Sequence, residues 1–386
     1  MGTKLAPRFK RLRLENWKNF RRVDVPLQRR VFMVGPNASG KSNLLDAIRF
    51  LRDLASPGGG FREAVSRRGG VSAVRNLAAR RNPDIQIAVT VDSGEGSPCW
   101  DYELHFHQDK QKRPMVRKET VKRDGEILLS RPCKDDQNDR ERLTQTHLEQ
   151  VNVNRAFRGL VSVFESVRYL HIVPQLMREP DRSVGRTNDP FGGDFLEQVA
   201  KTQDRPRNAR MRKIQSALKV AVPQLRDVEL TRDERGTPHL RGKYEHWRPQ
   251  GAWQTEEQFS DGTLRLLGLL WALMDGSGPL LLEEPELSLH PEIIRYLPQM
   301  FARTQGRSGR QLLVSTHSSD LLRDEGIGLD EVLMLRPGRE GTEVSSASRI
   351  DDVSILLDKG MSLAEVIIPQ TRPQKGSQLT LFGDAW

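Results

Sequence analysis

Apolar and polar positions alternate through the start of the chain: Leu12 and Leu14, then Val23, Val25 and Leu27, then the unbroken run Val31 to Val34. The spacing predicts two or three strands over residues 5–34, the last of them buried. Leu44, Leu45, Ile48 and Leu51 follow at helical spacing, and Ser56-Pro57-Gly58-Gly59-Gly60 ends that helix. Alternation returns in Ile85, Ile87, Val89 and Val91 and in Tyr102, Leu104 and Phe106, and Asp124-Gly125 is a hairpin signal. Residues 136–170, with Leu143, Leu148, Val151, Phe157 and Leu160, read as helical. Residues 179–210 are rich in Arg, Asp, Gly and Pro and read as a mobile loop or lid, with Gly192-Gly193-Asp194 opening a helix. From Phe259 the pattern predicts strands at 280–283, 311–316 and 331–335 separated by helices, as in a parallel sheet with crossovers.

Composition narrows the class. A chain of 386 residues has room for two or three domains. No apolar run is long enough to cross a bilayer, and the start is not a secretory signal. Cys99 and Cys133 are the only cysteines and match no metal pattern, so free thiols and a cytoplasmic location are expected. The net charge of +10 fits a polyanionic partner such as nucleic acid, or a basic surface without a partner.

Three stretches carry chemistry. Gly35-Pro36-Asn37-Ala38-Ser39-Gly40-Lys41-Ser42, followed by Asn43, sits between the apolar run and the helix. Strand, glycine loop and helix in that order are what a phosphate loop requires. Its N–H groups can close around phosphate oxygens, Lys41 can reach the β- and γ-phosphates, and the Ser42 hydroxyl can ligate Mg²⁺. In Gly278 to His290, three leucines lead into two acids. Glu283 can hold the metal, and Glu284 can polarise a water, because one carboxylate offsets metal charge while the other accepts a proton. Val314-Ser315-Thr316-His317-Ser318 ends a strand in polar residues, with His317 placed to contact a γ-phosphate or orient the water.

A second helix start, Phe259-Ser260-Asp261-Gly262-Thr263, is capped by Ser260 or Asp261, and Ser260 with Gly262 can take a phosphate. Two such sites in one chain point to a nucleotide shared between two subunits. Trp17 and Phe20 are candidates to stack on an adenine or to pack in the core. His105 and His107 share a strand face and are either exposed polar positions or two of an incomplete metal set. Arg205, Arg207, Arg210, Arg212 and Lys213 form the densest basic run, either a phosphate-tracking patch or a solvated helix face.

Taken together, GPNASGKS, FSDGT, LLLEEP, ELSLH and STHS resemble the Walker A, signature, Walker B, D-loop and switch-histidine motifs of ABC-type ATPase heads of the SMC and RecF group. The chain looks most like the short, arm-less "AAA family, ABC-like" ATPases, which are similar to the ATPase halves of overcoming-lysogenization-defect nucleases and anti-phage systems. The closing stretch DEVLMLRPGREGTEV and DKGMSLAEVI is similar to that group as well. The resemblance implies ATP and Mg²⁺ as cofactors. It also implies a homodimer that closes on ATP and a nucleotide-gated clamp on DNA or on an effector, in DNA repair or anti-phage defence. The alternative is a nucleotide-sensing scaffold that switches a separate nuclease or toxin with dispensable turnover. Glu283 stands where Asp is usual, Asp261 where Gly is usual, and Gln86 is the Q-loop candidate. No Toprim-like stretch follows, so a nuclease is expected only as a separate partner. Gln378-Leu379-Thr380-Leu381-Phe382 resembles the peptide that docks on the replication sliding clamp.

The expected fold is an α/β ABC-type ATPase head: an N-terminal antiparallel β lobe, a central mostly parallel sheet flanked by helices, and an inserted helical, basic lobe. The expected division is 1–135, an ATPase lobe with the phosphate loop; 136–250, a helical insertion or lid; 251–368, a second ATPase lobe; and 369–386, a flexible tail.

Overall fold

The computed structural model describes residues 6–79, 83–94, 97–179, 181, 188–245 and 252–371. Its strands are β1 (Arg8–Trp17), β2 (Phe20–Pro26), β3 (Arg30–Val34), β4 (Ile85–Asp92), β5 (Cys99–Gln108), β6 (Pro114–Arg123), β7 (Glu126–Arg131) and β8 (Arg168–Leu170). They continue with β9 (Leu225–Arg232), β10 (Pro238–Tyr244), β11 (Ala252–Thr255), β12 (Leu280–Glu283), β13 (Leu312–Thr316), β14 (Val332–Gly338) and β15 (Gly341–Ser346). The central sheet runs β15-β14-β3-β13-β12-β8, parallel throughout except for β15. An antiparallel sheet runs β2-β1-β4-β5-β6-β7, and a small one runs β11-β10-β9.

The central strands β3, β12, β13 and β14 each carry an unbroken apolar run because both faces are covered. Val31, Met33, Leu281, Leu313, Leu333 and Leu335 pack toward the antiparallel sheet and the helix Lys41–Ala55. Phe32, Val34, Leu280, Leu282, Leu312, Val314, Val332 and Met334 pack toward the helices Asp261–Met274 and Leu297–Ser308. The period-two alternation of a strand thus divides one sheet between two cores. The buried Gln311 side chain joins two sheets, donating to Phe9 O (2.8 Å) and Gln28 O (2.7 Å) and accepting from Phe9 N (2.8 Å).

The antiparallel sheet follows the expected alternation. Its β6–β7 hairpin turns at Asp124 (φ 50°) and Gly125 (φ 87°), the left-handed pair that a two-residue turn needs. Residues 136–170 depart from the helical expectation. Apart from single turns, the regular helix there is Arg158–Glu165, and Arg168–Leu170 is the edge strand of the central sheet. Within residues 179–210, expected as a loop or lid, Phe195–Lys201 and the start of Asp204–Ala221 are helical; the basic run lies on the latter, and β9 to β11 had no counterpart in the sequence reading. The opening at Gly192-Gly193-Asp194 leads into the helix Phe195–Lys201, as expected. No helix among the described residues is long and apolar enough to cross a membrane.

Candidate functional site

β3 delivers the chain to Gly35, and the helix Lys41–Ala55 leaves the loop on its far side. Neither end of the loop has room for a side chain. A Cβ at Gly35 would lie 2.6 Å from Ser39 Oγ, and one at Gly40 (φ +97°) would lie 2.2 Å from Asn19 Nδ2. Asn19, in the turn between β1 and β2, fixes the loop. Its Nδ2 donates to Ser39 O (2.9 Å) and Thr342 Oγ1 (2.8 Å), and Asn43 Nδ2 donates to its Oδ1 (2.8 Å).

Lys41 is only 5% exposed and folds back, donating from Nζ to Gly35 O (2.9 Å) and Pro36 O (3.2 Å). Burial pulls its pKa down, against the opposing pull of Glu284, Glu286 and Glu283. Ser39 Oγ is buried without a partner, while Asn37, Ala38 and Ser42 face solvent. A pinned loop at a helix N-terminus, with an ammonium parked on carbonyls and an orphan hydroxyl, suits a polyphosphate.

The acids meet this loop at the same end of the sheet. Ser42 Oγ donates to Glu283 Oε1 at 2.5 Å, and the Tyr169 hydroxyl donates to the other Glu283 oxygen. Burial and the Glu283 carboxylate push the Tyr169 hydroxyl well above its ordinary range, so it stays protonated and donates. Glu284 follows in the left-handed region (φ 43°), a strained conformation for a residue with a side chain. Its backbone N–H donates to Ser315 O (3.0 Å), and its Oε1 lies 3.2 Å from His317 Nδ1. Glu286, 4% exposed, accepts from Thr316 Oγ1 (2.6 Å) and leaves Oε2 without a partner; burial raises its pKa.

Ser260 caps the helix Asp261–Met274, its Oγ accepting from Thr263 N at 3.2 Å. Arg178 engages the Asp261 carboxylate at 2.6 Å. Gly262 lies so close to the loop after β12 that a Cβ would stand 2.6 Å from Ser288 O. Among the described residues no hydrogen bond joins Ser260 or Gly262 to residues 35–43 of the same chain.

Trp17 and Phe20 are fully buried, and Trp17 Nε1 donates to Asn43 O (2.9 Å), so both are core and neither can stack on a base. Gln86 pairs with Glu15 and His105 in the antiparallel sheet, in a pocket with Arg13, Arg22 and Glu103 that does not border the phosphate loop; it is not a Q-loop residue. His105 bonds Glu103 at 2.6 Å, and no group of three or more His, Cys, Asp or Glu side chains placed to hold a metal occurs among the described residues. Gln378 to Phe382 lie outside the described residues. The sequence reading missed Asn19 and Tyr169. Asn19 stood in the tight Trp17-Lys18-Asn19-Phe20 turn, a detectable signal; Tyr169, in a three-residue strand of intermediate burial, gave none.

A parallel sheet that presents a phosphate loop, twin acids and a histidine at one end, backed by an antiparallel sheet, is the fold of an ABC-type ATPase head. Solved structures agree. The chain is similar to an SMC head bound to the C-winged helix domain of ScpA, at 12% identity and a TM-score of 0.52, over 87% of this chain and 96% of that one. It is similar to the Smc head with an extended coiled coil from Pyrococcus furiosus, bound to the C-terminal domain of ScpA, at 11% identity and a TM-score of 0.52, over 92% and 100% of the two chains. A third, the Smc head with a coiled coil and joint from Pyrococcus yayanosii, matches at 12% identity and a TM-score of 0.50, over 92% and 100%. Residues 30–324 match the family described as "AAA domain, putative AbiEii toxin, Type IV TA system", and the chain belongs to that family. No curated protein sequence matches it.

Proposed function

We propose that the protein is an Mg²⁺-dependent ATPase whose two identical subunits close on ATP and act as a clamp on DNA or on a separate effector such as a nuclease. Gly35, Pro36, Asn37, Ala38, Ser39, Gly40, Lys41, Ser42 and Asn43 would hold the triphosphate. Ser42 and Glu283 would hold the metal, which supplies charge neutralisation at the phosphates. Glu284 would take the proton of the attacking water, and His317 would orient that water and sense the γ-phosphate. Ser260 and Gly262 would grip the nucleotide of the partner subunit. The division into residues 1–135, 136–250, 251–368 and 369–386 is proposed on the same footing.

The observation that carries this reading is the pair of contacts Ser42–Glu283 (2.5 Å) and Glu284–His317 (3.2 Å) at one end of the sheet. Each joins two residues proposed for the same task. DNA as partner is supported by the helix Asp204–Ala221. Arg207 and Arg210 are held by Asp204 and Asp275, but Arg205, Arg212, Lys213 and Lys219 are exposed and unpaired among the described residues. A role in repair or anti-phage defence rests on the family alone.

A second reading, a scaffold with slow turnover, is favoured by Glu283. It is longer than the usual aspartate and already accepts from the Tyr169 hydroxyl, so a metal would have to share this carboxylate with that contact, which fits slow or dispensable turnover.

The test is ATP turnover with and without DNA, alongside mass in each nucleotide state. Glu284→Gln should retain ATP, lose about 100-fold or more in kcat and accumulate as a dimer. Per-subunit turnover that does not fall on dilution to monomer would refute the shared site. Full partner activation by Glu284→Gln would select the scaffold. For the tail, unchanged sliding-clamp affinity after Leu381→Ala and Phe382→Ala would remove that partner.

A further inference from the structure

Arg265 lies one turn into the helix Asp261–Met274, only 6% exposed, with Nε and Nη1 buried and unpartnered. Among the described residues its guanidinium makes no hydrogen bond or ion pair. The carboxylates whose charge acts on it are Asp261, Glu286 and Glu284. Asp261 is taken by Arg178 and also accepts from Gln175 Nε2 (3.3 Å), and Glu284 is taken by His317. That leaves Glu286, itself 4% exposed, with its own Oε2 unpartnered. Two buried groups of opposite charge, electrostatically coupled, therefore each have unmet hydrogen-bonding capacity and make no direct contact. Such a mismatch calls for a partner, whether a ligand, a solvent molecule or a group brought up in another state of the fold.

The surroundings show what that state would couple. Arg265 is rigidly connected to Ser260 and Gly262 through a single turn of helix. Glu286 is bonded to Thr316 Oγ1 (2.6 Å) and receives the His317 backbone N–H (3.4 Å). His317 in turn contacts Glu284. Gly262 packs directly against Ser288 in the loop after β12, so the helix start that carries Arg265 and the loop that carries Glu286 share one contact.

Resting on the ATPase reading above, we infer that Arg265 is a positioning residue that closes onto Glu286 when the Ser260 turn engages a partner's nucleotide. It thereby sets His317 and Glu284 for water attack only in the assembled dimer. The pairing makes turnover conditional on assembly without contributing to the grip of the phosphate loop on its own nucleotide.

Arg265→Met, Arg265→Lys, Glu286→Gln and the Arg265→Met/Glu286→Gln pair, made in the full chain, test this. The readouts are the affinity of a fluorescent ATP analogue, kcat, KM and Tm. Arg265→Met should leave analogue affinity and KM within about threefold of wild type and lower kcat roughly 30-fold. Its Tm should hold or rise, because a buried charge without a partner is removed. Arg265→Lys should recover part of kcat, and the double variant should be no slower than the slower single one. Wild-type-like kcat in Arg265→Met, additive losses in the pair, or a fall in Tm that accounts for the fall in kcat would each overturn the inference alone. A wild-type protein that binds no nucleotide would overturn it together with the ATPase reading.

Discussion

Ser42 and Glu283, 241 residues apart in the chain, meet at 2.5 Å, hydroxyl to carboxylate. The helix after the phosphate loop supplies one and the tip of β12 the other, with β13 lying between their strands. On the proposed reading a divalent ion is held by both oxygens and would have to part them. Ser42→Ala should lower Mg²⁺-dependent turnover by about 10-fold or more and leave metal-free nucleotide binding nearly unchanged. A magnesium titration of turnover beside a metal-free binding isotherm separates the two.

Ala38 occupies the left-handed region (φ 62°) on the exposed crest of the phosphate loop. A residue with a Cβ is strained there by about 1–2 kcal/mol, and glycine is not. Ala38→Gly should therefore raise unfolding stability by roughly 0.5–1 kcal/mol, read from a urea melt, since the greater freedom of glycine in the unfolded chain offsets part of the relief.

Arg131 is fully buried between two acids. It donates to Asp136 Oδ1 (2.7 Å) and Oδ2 (3.0 Å), to Glu119 Oε2 (3.1 Å), and to the carbonyls of Arg142 and Gln145 (2.9 Å each). Arg131→Met strands two buried carboxylates and should cost about 3–5 kcal/mol. The exposed pair Arg11–Asp24 has a similarly short contact of 2.6 Å, yet Arg11→Met should leave stability nearly unchanged. Paired denaturant melts of the two variants test whether burial or contact length decides.

His147 lies beside this cluster, with Nδ1 buried and unpartnered. Burial, with Arg131 nearby, pushes its pKa from the ordinary 6.5 down to about 4. Between those values the unfolded chain binds a proton that the folded chain refuses, so stability is whole above about 6.5 and declines as pH falls toward about 4. His147→Phe should flatten that decline while sparing the backbone bond from His147 N to Glu119 (2.8 Å). Unfolding free energy measured across the interval gives the two slopes.

What could be read from the sequence was whatever lies in short, uninterrupted segments. β3, β12 and β13 are apolar runs that end directly in Gly35, Glu283 and His317, so strand and chemistry announce each other. β9, written LRDVELTR, is half charged and lies in a small sheet with only one buried side; its pattern is weak, and it was missed. β8 owes its place to pairing with β12 rather than to its own residues, which is why Tyr169 came unannounced. Trp17, an aromatic residue at a turn, was open to either a base-stacking or a core reading. The helix behind the phosphate loop covers it, with Phe50 edge-on at 5.4 Å.

The Asn19 link to Thr342 has a consequence for where the domain can be trimmed. Residues after 324 supply β14, which zips along β3 through Val332, Leu333 and Met334, and they supply the hydroxyl on which Asn19 leans. Excising them would leave β3 with a bare rim of amides and carbonyls, a surface inclined to gather strands from neighbouring molecules. The recognisable stretch 30–324 is therefore shorter than the smallest piece that can stand alone.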